Sequence, residues 1–222
     1  MTDSSRAAGA FSDGRAMACR GLYLITPDCA DSGRLLALIE AAVAGGPALL
    51  QYRNKLARTE AQRRREASQI AQLCRAAGVG LIVNDSVALA LDVDADGVHI
   101  GREDGDPVSV RRTLGPDRLL GVSCYDDWSR ACAAVAAGAD YVAFGAMFPS
   151  RTKPAAVRAP IELVRRARSE LGVAVATIGG ITLDNASELV DAGADLVAVI
   201  SDVFDAPDPA ARATAYRMLF AA

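Results

Sequence analysis

One short phrase recurs along the chain and constrains its fold more than any other feature. Ala44-Gly45-Gly46-Pro47-Ala48-Leu49, Asp94-Ala95-Asp96-Gly97-Val98, Ala137-Gly138-Ala139-Asp140-Tyr141-Val142 and Ala192-Gly193-Ala194-Asp195-Leu196-Val197 each end a helix-forming stretch and open an apolar run. Taking 47, 96, 140 and 195 as equivalent positions, the spacings run from 44 to 55 residues. Each spacing is about two strand–helix units of a barrel of about 250 residues, so the repeat marks alternate strands. A glycine after each helix predicts a left-handed C-terminal cap.

Eight apolar runs accompany the repeat: Leu22–Thr26, Ala48–Gln51, Gly80–Asn84, Gly97–Ile100, Leu119–Ser123, Tyr141–Gly145, Val173–Ile178 and Leu196–Ile200. Several are apolar throughout, as strands covered on both faces must be. The stretches between are rich in Ala, Leu, Glu and Arg, which favour helix. Arg58–Ala77 is the clearest, with Ile70 and Leu73–Cys74 on one side of a charged helix. The last helix is expected to begin near Pro209 with Asp208 as its N-cap. Eight such units predict an α/β protein, a single (β/α)8 TIM barrel over residues 19–222. A doubly wound open sheet is the competitor; it usually has fewer strands, and no GxGxxG follows the first strand here. Residues 1–18 are small and polar without the apolar stretch of a signal peptide, and read as a disordered N-terminal tail.

Composition excludes several classes. Of 222 residues, 24 are basic and 27 acidic, and a net charge of −3 offers no footprint for nucleic acid. No apolar run is long enough for a bilayer. The five cysteines, Cys19, Cys29, Cys74, Cys124 and Cys132, are odd in number and form no CxxC pair, which reads as reduced thiols in a cytoplasmic protein. His99 is the single histidine, so sites needing two imidazoles are excluded.

Barrel active sites lie at the C-terminal ends of the strands. The second run continues as Gln51-Tyr52-Arg53-Asn54-Lys55. Alternation points Gln51, Arg53 and Lys55 into the mouth, and two cations there suit a phosphate or diphosphate. The next two runs end in Asn84-Asp85 and in Val98-His99-Ile100-Gly101-Arg102-Glu103-Asp104. Asp85 and Asp104 beside such cations point to a magnesium ion shared with phosphate oxygens; taken alone, Asp85 reads better as a cap for the helix starting near Ser86. His99 reads as a hydrogen-bonded structural residue and receives no catalytic role. Ser123 can hold a polar substrate edge but has no histidine–acid relay to make it a nucleophile, and Cys124 reads as packing. The sixth run leads into Phe148-Pro149-Ser150-Arg151-Thr152-Lys153-Pro154, a loop with two hydroxyls and two cations that can close on anions. Gly179-Gly180 and Ser201 mark a second anion site after the last two strands.

Together, in this order and spacing, these stretches resemble the thiamine phosphate synthase family. The resemblance rests on Leu22-Tyr23-Leu24-Ile25-Thr26, the segment from Gln51 to Lys55, Asn84-Asp85, Gly97-Val98-His99-Ile100-Gly101 with Glu103-Asp104, Gly121-Val122-Ser123, the Phe148-to-Pro154 loop, Ile178-Gly179-Gly180-Ile181 and Val199-Ile200-Ser201. It covers about Gly21 to Phe220. It implies a transferase joining hydroxymethylpyrimidine diphosphate to hydroxyethylthiazole phosphate, with diphosphate leaving first to give a pyrimidine cation. It further implies that Gln51, Tyr52, Arg53, Asn54, Lys55, Asn84, Ser123 and Lys153 bind the pyrimidine diphosphate. Ser150, Arg151, Thr152, Gly180, Ile200 and Ser201 would hold the thiazole phosphate, and Asp85 and Asp104 would hold Mg2+. Catalysis would fall to Arg53, Lys55, Lys153 and Ser123, by charge stabilisation and positioning.

The chain departs from the family pattern at Arg102, where glutamine is frequent, at Ser150 for threonine, at Arg151, an added cation, and at Tyr125, where many members carry histidine. A related thiazole tautomerase relies on that histidine, so Tyr125 disfavours it. A non-catalytic phosphate binder is disfavoured by the joint presence of Arg53, Asp85, Asp104 and Lys153, and a Schiff-base aldolase by the lack of a lysine within a strand. The expected partners are phosphorylated small molecules, with no nucleic acid or membrane and with assembly into a homo-oligomer left open.

Overall fold

The computed structural model describes residues 19–149 and 157–221. Strands and helices alternate along them: β1 Gly21–Ile25, α1 Ser32–Val43, β2 Leu49–Tyr52, α2 Glu60–Ala77, β3 Gly80–Asn84, α3 Val87–Asp92, β4 Gly97–Ile100, α4 Pro107–Leu114, β5 Leu119–Tyr125, α5 Trp128–Ala136, β6 Tyr141–Phe144, α6 Ile161–Glu170, β7 Ala174–Ile178, α7 Leu183–Asp191, β8 Leu196–Val199, α8 Ser201–Phe204 and α9 Pro209–Met218. The strands are parallel and close in chain order, with Gly21 of β1 opposite Leu196 of β8. The expected (β/α)8 barrel is the observed fold.

Alternation divides the apolar residues between two cores. Leu22 and Leu24 face the helices, where Leu35, Ile39, Ile70 and Val142 pack. Tyr23 and Ile25 face the barrel interior with Leu49, Ile82, Leu119, Tyr141 and Leu196. Most helices start on a side-chain cap. Asp31, Thr59, Ser86, Asp106, Asp127 and Asp208 each accept a first-turn backbone N–H, a contact worth about 1 kcal/mol. Asp208 is the cap expected for the last helix, and Thr59 starts α2 at Glu60, two residues after Arg58.

The repeated phrase has a concrete job at the N-terminal end of the barrel. Asp96, Asp140 and Asp195 each precede an even strand. Their carboxylates accept from Leu81 N (2.7 Å), Leu120 N (2.7 Å) and Val175 N (3.0 Å), near the starts of the preceding odd strands. Their backbone carbonyls accept from Leu119, Ala174 and Gly21, which precede or open the next odd strands. Each aspartate therefore ties three strands. At the first corner the equivalent is Ala48, which donates to Leu22 O and accepts from Gly80 N. That corrects the alignment on Pro47 by one residue and leaves this corner without a carboxylate.

Two further differences have local causes. Gly46, Gly138 and Gly193 take positive φ after their helices, but before β4 that conformation falls to Asp94 (φ 53°). Gly97 lies in β4 instead, where a Cβ would meet Leu119 O at 2.3 Å. At the other end, β5 runs on to Tyr125 through a register shift between Ser123 and Tyr125. Among the described residues no helix is long and apolar enough to cross a membrane.

Candidate active site

The C-terminal ends of β2 and β3 border a cleft of about 370 Å3 lined by Arg53, Lys55, Arg63, Asn84 and Asp85. Its edge is built by Asp28, whose carboxylate pairs with Arg53 (3.2 Å) and accepts from Lys55 N (2.7 Å). Thr26 exchanges two hydrogen bonds with the backbone of Arg53. The two cations are thus held at the mouth, Arg53 half-buried and Lys55 exposed. Gln51 also points inward, into the barrel interior, where it donates to Tyr23.

Tyr52 and Asn54, expected among the ligand-binding side chains, are turned the other way. Both bond to Glu66 of α2, the tyrosine hydroxyl at 2.7 Å and the amide at 3.0 Å. Ser32 and Gln62 complete the shell around Glu66. Burial pushes its carboxyl up, but these four donors outweigh burial and hold it below the usual carboxylate range. Asn54 also exchanges bonds with the Cys29 backbone. Tyr52 and Asn54 therefore brace the 53–55 segment from behind. Glu66, Asp28 and Arg63 are site residues that the sequence reading missed. Each lies far from its partner in the chain or on a helix whose charges look solvated.

Asp85 and Asp104 are brought together. Ser86 caps α3, so Asp85 is free of that duty, and it sits in left-handed conformation (φ 63°). Burial, then the neighbouring Asp104 carboxyl within hydrogen-bonding reach, push the Asp85 carboxyl up to about 6, against Asn84 and Lys55. Asp104 is held by Gly101 N at 2.8 Å, and a Cβ on Gly101 would lie 2.7 Å from its carboxylate. Two facing carboxylates beside a cation-lined cleft are a donor set that fits Mg2+, which takes one or two carboxylates and completes its shell with phosphate oxygens and water. Among the described residues no group of three or more His, Cys, Asp or Glu could hold a metal.

Ser123 lies half-buried near the end of β5. Its carbonyl accepts from Arg130 Nε (2.7 Å), while Arg130 also bonds Gly101 O (2.9 Å), locking β4 to β5. Its hydroxyl bonds His99 Nε2 (2.8 Å), and His99 Nδ1 contacts the Tyr141 hydroxyl (3.1 Å). Burial holds His99 neutral, its pKa lowered to about 4. Cys124 is wholly buried and its thiol is pushed up to about 12 by that burial. Tyr125 is exposed, with the Arg102 guanidinium 5.1 Å above its ring, so these two departures from the family pattern contact each other at the rim.

Across the mouth, the loops after β6 and β7 are stitched together by Met147 N to Ile178 O and Phe148 N to Gly179 O. Gly180 has φ +65°, and a Cβ there would strike Pro149 O at 2.4 Å, so glycine is what admits this close approach. Ile200 leads into the short helix α8, which begins at Ser201; Asp202 anchors it through Leu183 N and the Tyr216 hydroxyl. Gly180, Ile200 and Ser201 thus lie at the ends of β7 and β8. Ser150, Arg151, Thr152 and Lys153 lie outside the described residues, as do residues 1–18. A larger hollow, about 700 Å3, opens at the opposite end of the barrel. Charged groups on its wall serve the fold: Arg118 pairs with Asp94 and Asp96 binds Leu81 N.

A parallel (β/α)8 barrel with cations, paired acids and a short helix after its last strand has the layout of a phosphate-handling barrel protein. The family model of thiamine monophosphate synthase matches residues 22–203. The chain belongs to that family. It is 67% identical over 201 residues to a thiamine-phosphate synthase of Aromatoleum aromaticum, covering 90% of this chain and 96% of the relative. It is 64% identical over 202 residues to one from an Azoarcus species, covering 91% and 98%. A thiamine phosphate pyrophosphorylase from Pyrococcus furiosus superposes with a TM-score of 0.80 at 31% identity, covering 94% of this chain and 98% of that one.

Proposed function

We propose that this protein is a transferase that joins hydroxymethylpyrimidine diphosphate to hydroxyethylthiazole phosphate, giving thiamine phosphate and diphosphate. The observation that carries this reading, beside family membership, is Asp85, with Asp104 beside it, on the wall of the cleft that holds Arg53 and Lys55. Arg53 and Lys55 attract the diphosphate and favour its departure, because the charge they face grows as the carbon–oxygen bond breaks. Lys153, which follows β6 in the sequence, would add a third cation. Asn84 lines the same cleft, Gln51 would reach the pyrimidine from the barrel interior behind it, and Ser123 orients the pyrimidine ring. Ser150, Arg151, Thr152, Gly180, Ile200 and Ser201 hold the thiazole phosphate, so the thiazole nitrogen meets the pyrimidine cation in one mouth. Asp85 and Asp104 would hold Mg2+, which when bound would supply positive charge to the leaving diphosphate. No protein base or nucleophile is needed, in keeping with a single histidine that is buried. The setting is cytoplasmic, which agrees with five free cysteines.

The test is turnover. Purified protein with both substrates and Mg2+ should release thiamine phosphate, and Asp85→Asn should cut the rate by at least about a hundredfold while both substrates still bind. Protein that binds both substrates without product under any metal condition would sink the proposal.

A further inference from the structure

Five side chains form an unbroken hydrogen-bonded line through the barrel interior: Gln51, Tyr23, Tyr141, His99 and Ser123. Gln51 Nε2 meets the Tyr23 hydroxyl at 2.6 Å, Tyr23 meets Tyr141 at 2.7 Å, Tyr141 meets His99 Nδ1 at 3.1 Å, and His99 Nε2 meets Ser123 Oγ at 2.8 Å. Four of the five are buried, and Ser123 is half-buried at the mouth. The two tyrosine rings meet edge-on, and the His99 ring stacks on Tyr141. Proton bookkeeping gives the line a direction. Gln51 Nε2 can only donate, so the Tyr23 hydroxyl accepts there, and among the described residues its own proton has Tyr141 as its acceptor. Tyr141 then accepts from Tyr23, and its own proton goes to His99 Nδ1. A ring whose Nδ1 accepts must carry its proton on Nε2, and that proton goes to Ser123 Oγ. The Ser123 proton is left over, with no acceptor among the described residues.

We propose that Tyr23, Tyr141 and His99 are positioning residues that act as a one-way donor line, fixing Ser123 as a hydrogen-bond donor toward the substrate. The reading rests on the mouth being the pyrimidine diphosphate site and adds what Ser123 recognises there: a lone-pair acceptor, such as a ring nitrogen of a heteroaromatic, and not an N–H. With the Gln51 amide nitrogen toward Tyr23, the alternative sense would leave the two facing proton to proton, and in so dry an interior an unmatched donor pair is costly.

The single histidine makes the test direct. In untagged, full-length protein labelled with 15N-histidine, the two ring nitrogens give one pair of signals, whose shifts report the tautomer. The expected result is the Nε2–H form. Tyr23→Phe should keep that form, because the Tyr141 proton still has Nδ1 as its acceptor. Tyr141→Phe should lose it, letting Nε2 accept the Ser123 proton. KM for the pyrimidine diphosphate should then rise by about tenfold, the worth of one hydrogen bond, with a smaller change in kcat. Ser123→Ala should raise KM similarly, and the double variant should be no worse than either single. An Nδ1–H ring in the unaltered protein overturns the line, and that observation needs no variant to fold. Retention of Nε2–H in Tyr141→Phe together with a raised KM overturns it too. Thiamine phosphate formation by the same sample reports separately on the proposed reaction, so either idea can fail alone.

Discussion

Asp85 shows how one residue can oppose the fold and serve a site. Its carboxyl is pushed up to about 6 because burial and Asp104 both disfavour its charge. An acid raised in this way holds a proton in the folded protein at pH values where the unfolded chain has released it. Its contribution therefore favours folding more as pH falls from about 6 toward 4 and penalises it above. The proposed Mg2+ binding would have the opposite sign, because the ion would have to displace that proton. The Mg2+ concentration giving half-maximal rate should rise as pH drops through about 6, and an activity titration at pH 5.5 and pH 8 checks this. Asp104→Asn removes the repulsion. It should leave the metal-free melting temperature at pH 8 unchanged or higher while cutting the rate roughly tenfold to a hundredfold; a lower melting temperature would contradict the repulsion argument. Both acids were legible as a pair because adjacent strands deliver them to one face. Tyr52 and Asn54 were misread because their common partner, Glu66, sits on a helix whose charges give no local sign of burial.

Elements are joined here by a few buried polar ties. Asp140 is the most enclosed of the three corner aspartates, holding Leu120 N and the Arg111 guanidinium, which itself binds the carbonyls of Gly115, Arg118 and Gly138. Asp140→Ala strands these donors and should cost about 3 kcal/mol in denaturant unfolding, with kcat/KM per folded molecule unchanged. Asp140→Asn keeps an acceptor and should cost less. Glu66→Ala should do the reverse of a pure stability change, raising KM for the pyrimidine diphosphate as the 53–55 segment loosens, besides lowering the melting temperature. The helices and strands were readable from periodicity and caps. The four-residue α8 and the shift in β5 were not, because neither is long enough to impose a period on the sequence. The repeat was visible too, but its meaning was not: an aspartate before a strand looks like a turn residue until the neighbouring strand's backbone is in place.

The whole molecule separates stability from chemistry by distance along the barrel axis. Aspartate ties cluster at one end and the cation–acid cleft at the other. Mg2+ and diphosphate should stabilise the fold more together than the sum of each alone. Mg2+ and diphosphate added jointly at a hundred times their Kd contribute about 2.7 kcal/mol, which for a chain of this size raises the melting temperature by roughly 5–10 °C. In Asp85→Asn the part of that gain that needs both ligands should vanish, and calorimetry with each ligand alone and with both reads the difference. Eight strands and their order were legible because each is a dense apolar run between helix formers. The interior line from Gln51 to Ser123 was not, since its members come from strands far apart in the chain and meet only when the ring closes.

The missing carboxylate at Ala48 makes the ring unequal around its circumference. Three corners carry a side-chain clasp and one is held by main chain alone. Under tension applied at the two ends of the chain, β1 should be the first stave to come away, leaving the other seven briefly in place. A hybrid assembled from fragments of related barrels should tolerate a junction between β1 and β2 better than one at any clasped corner.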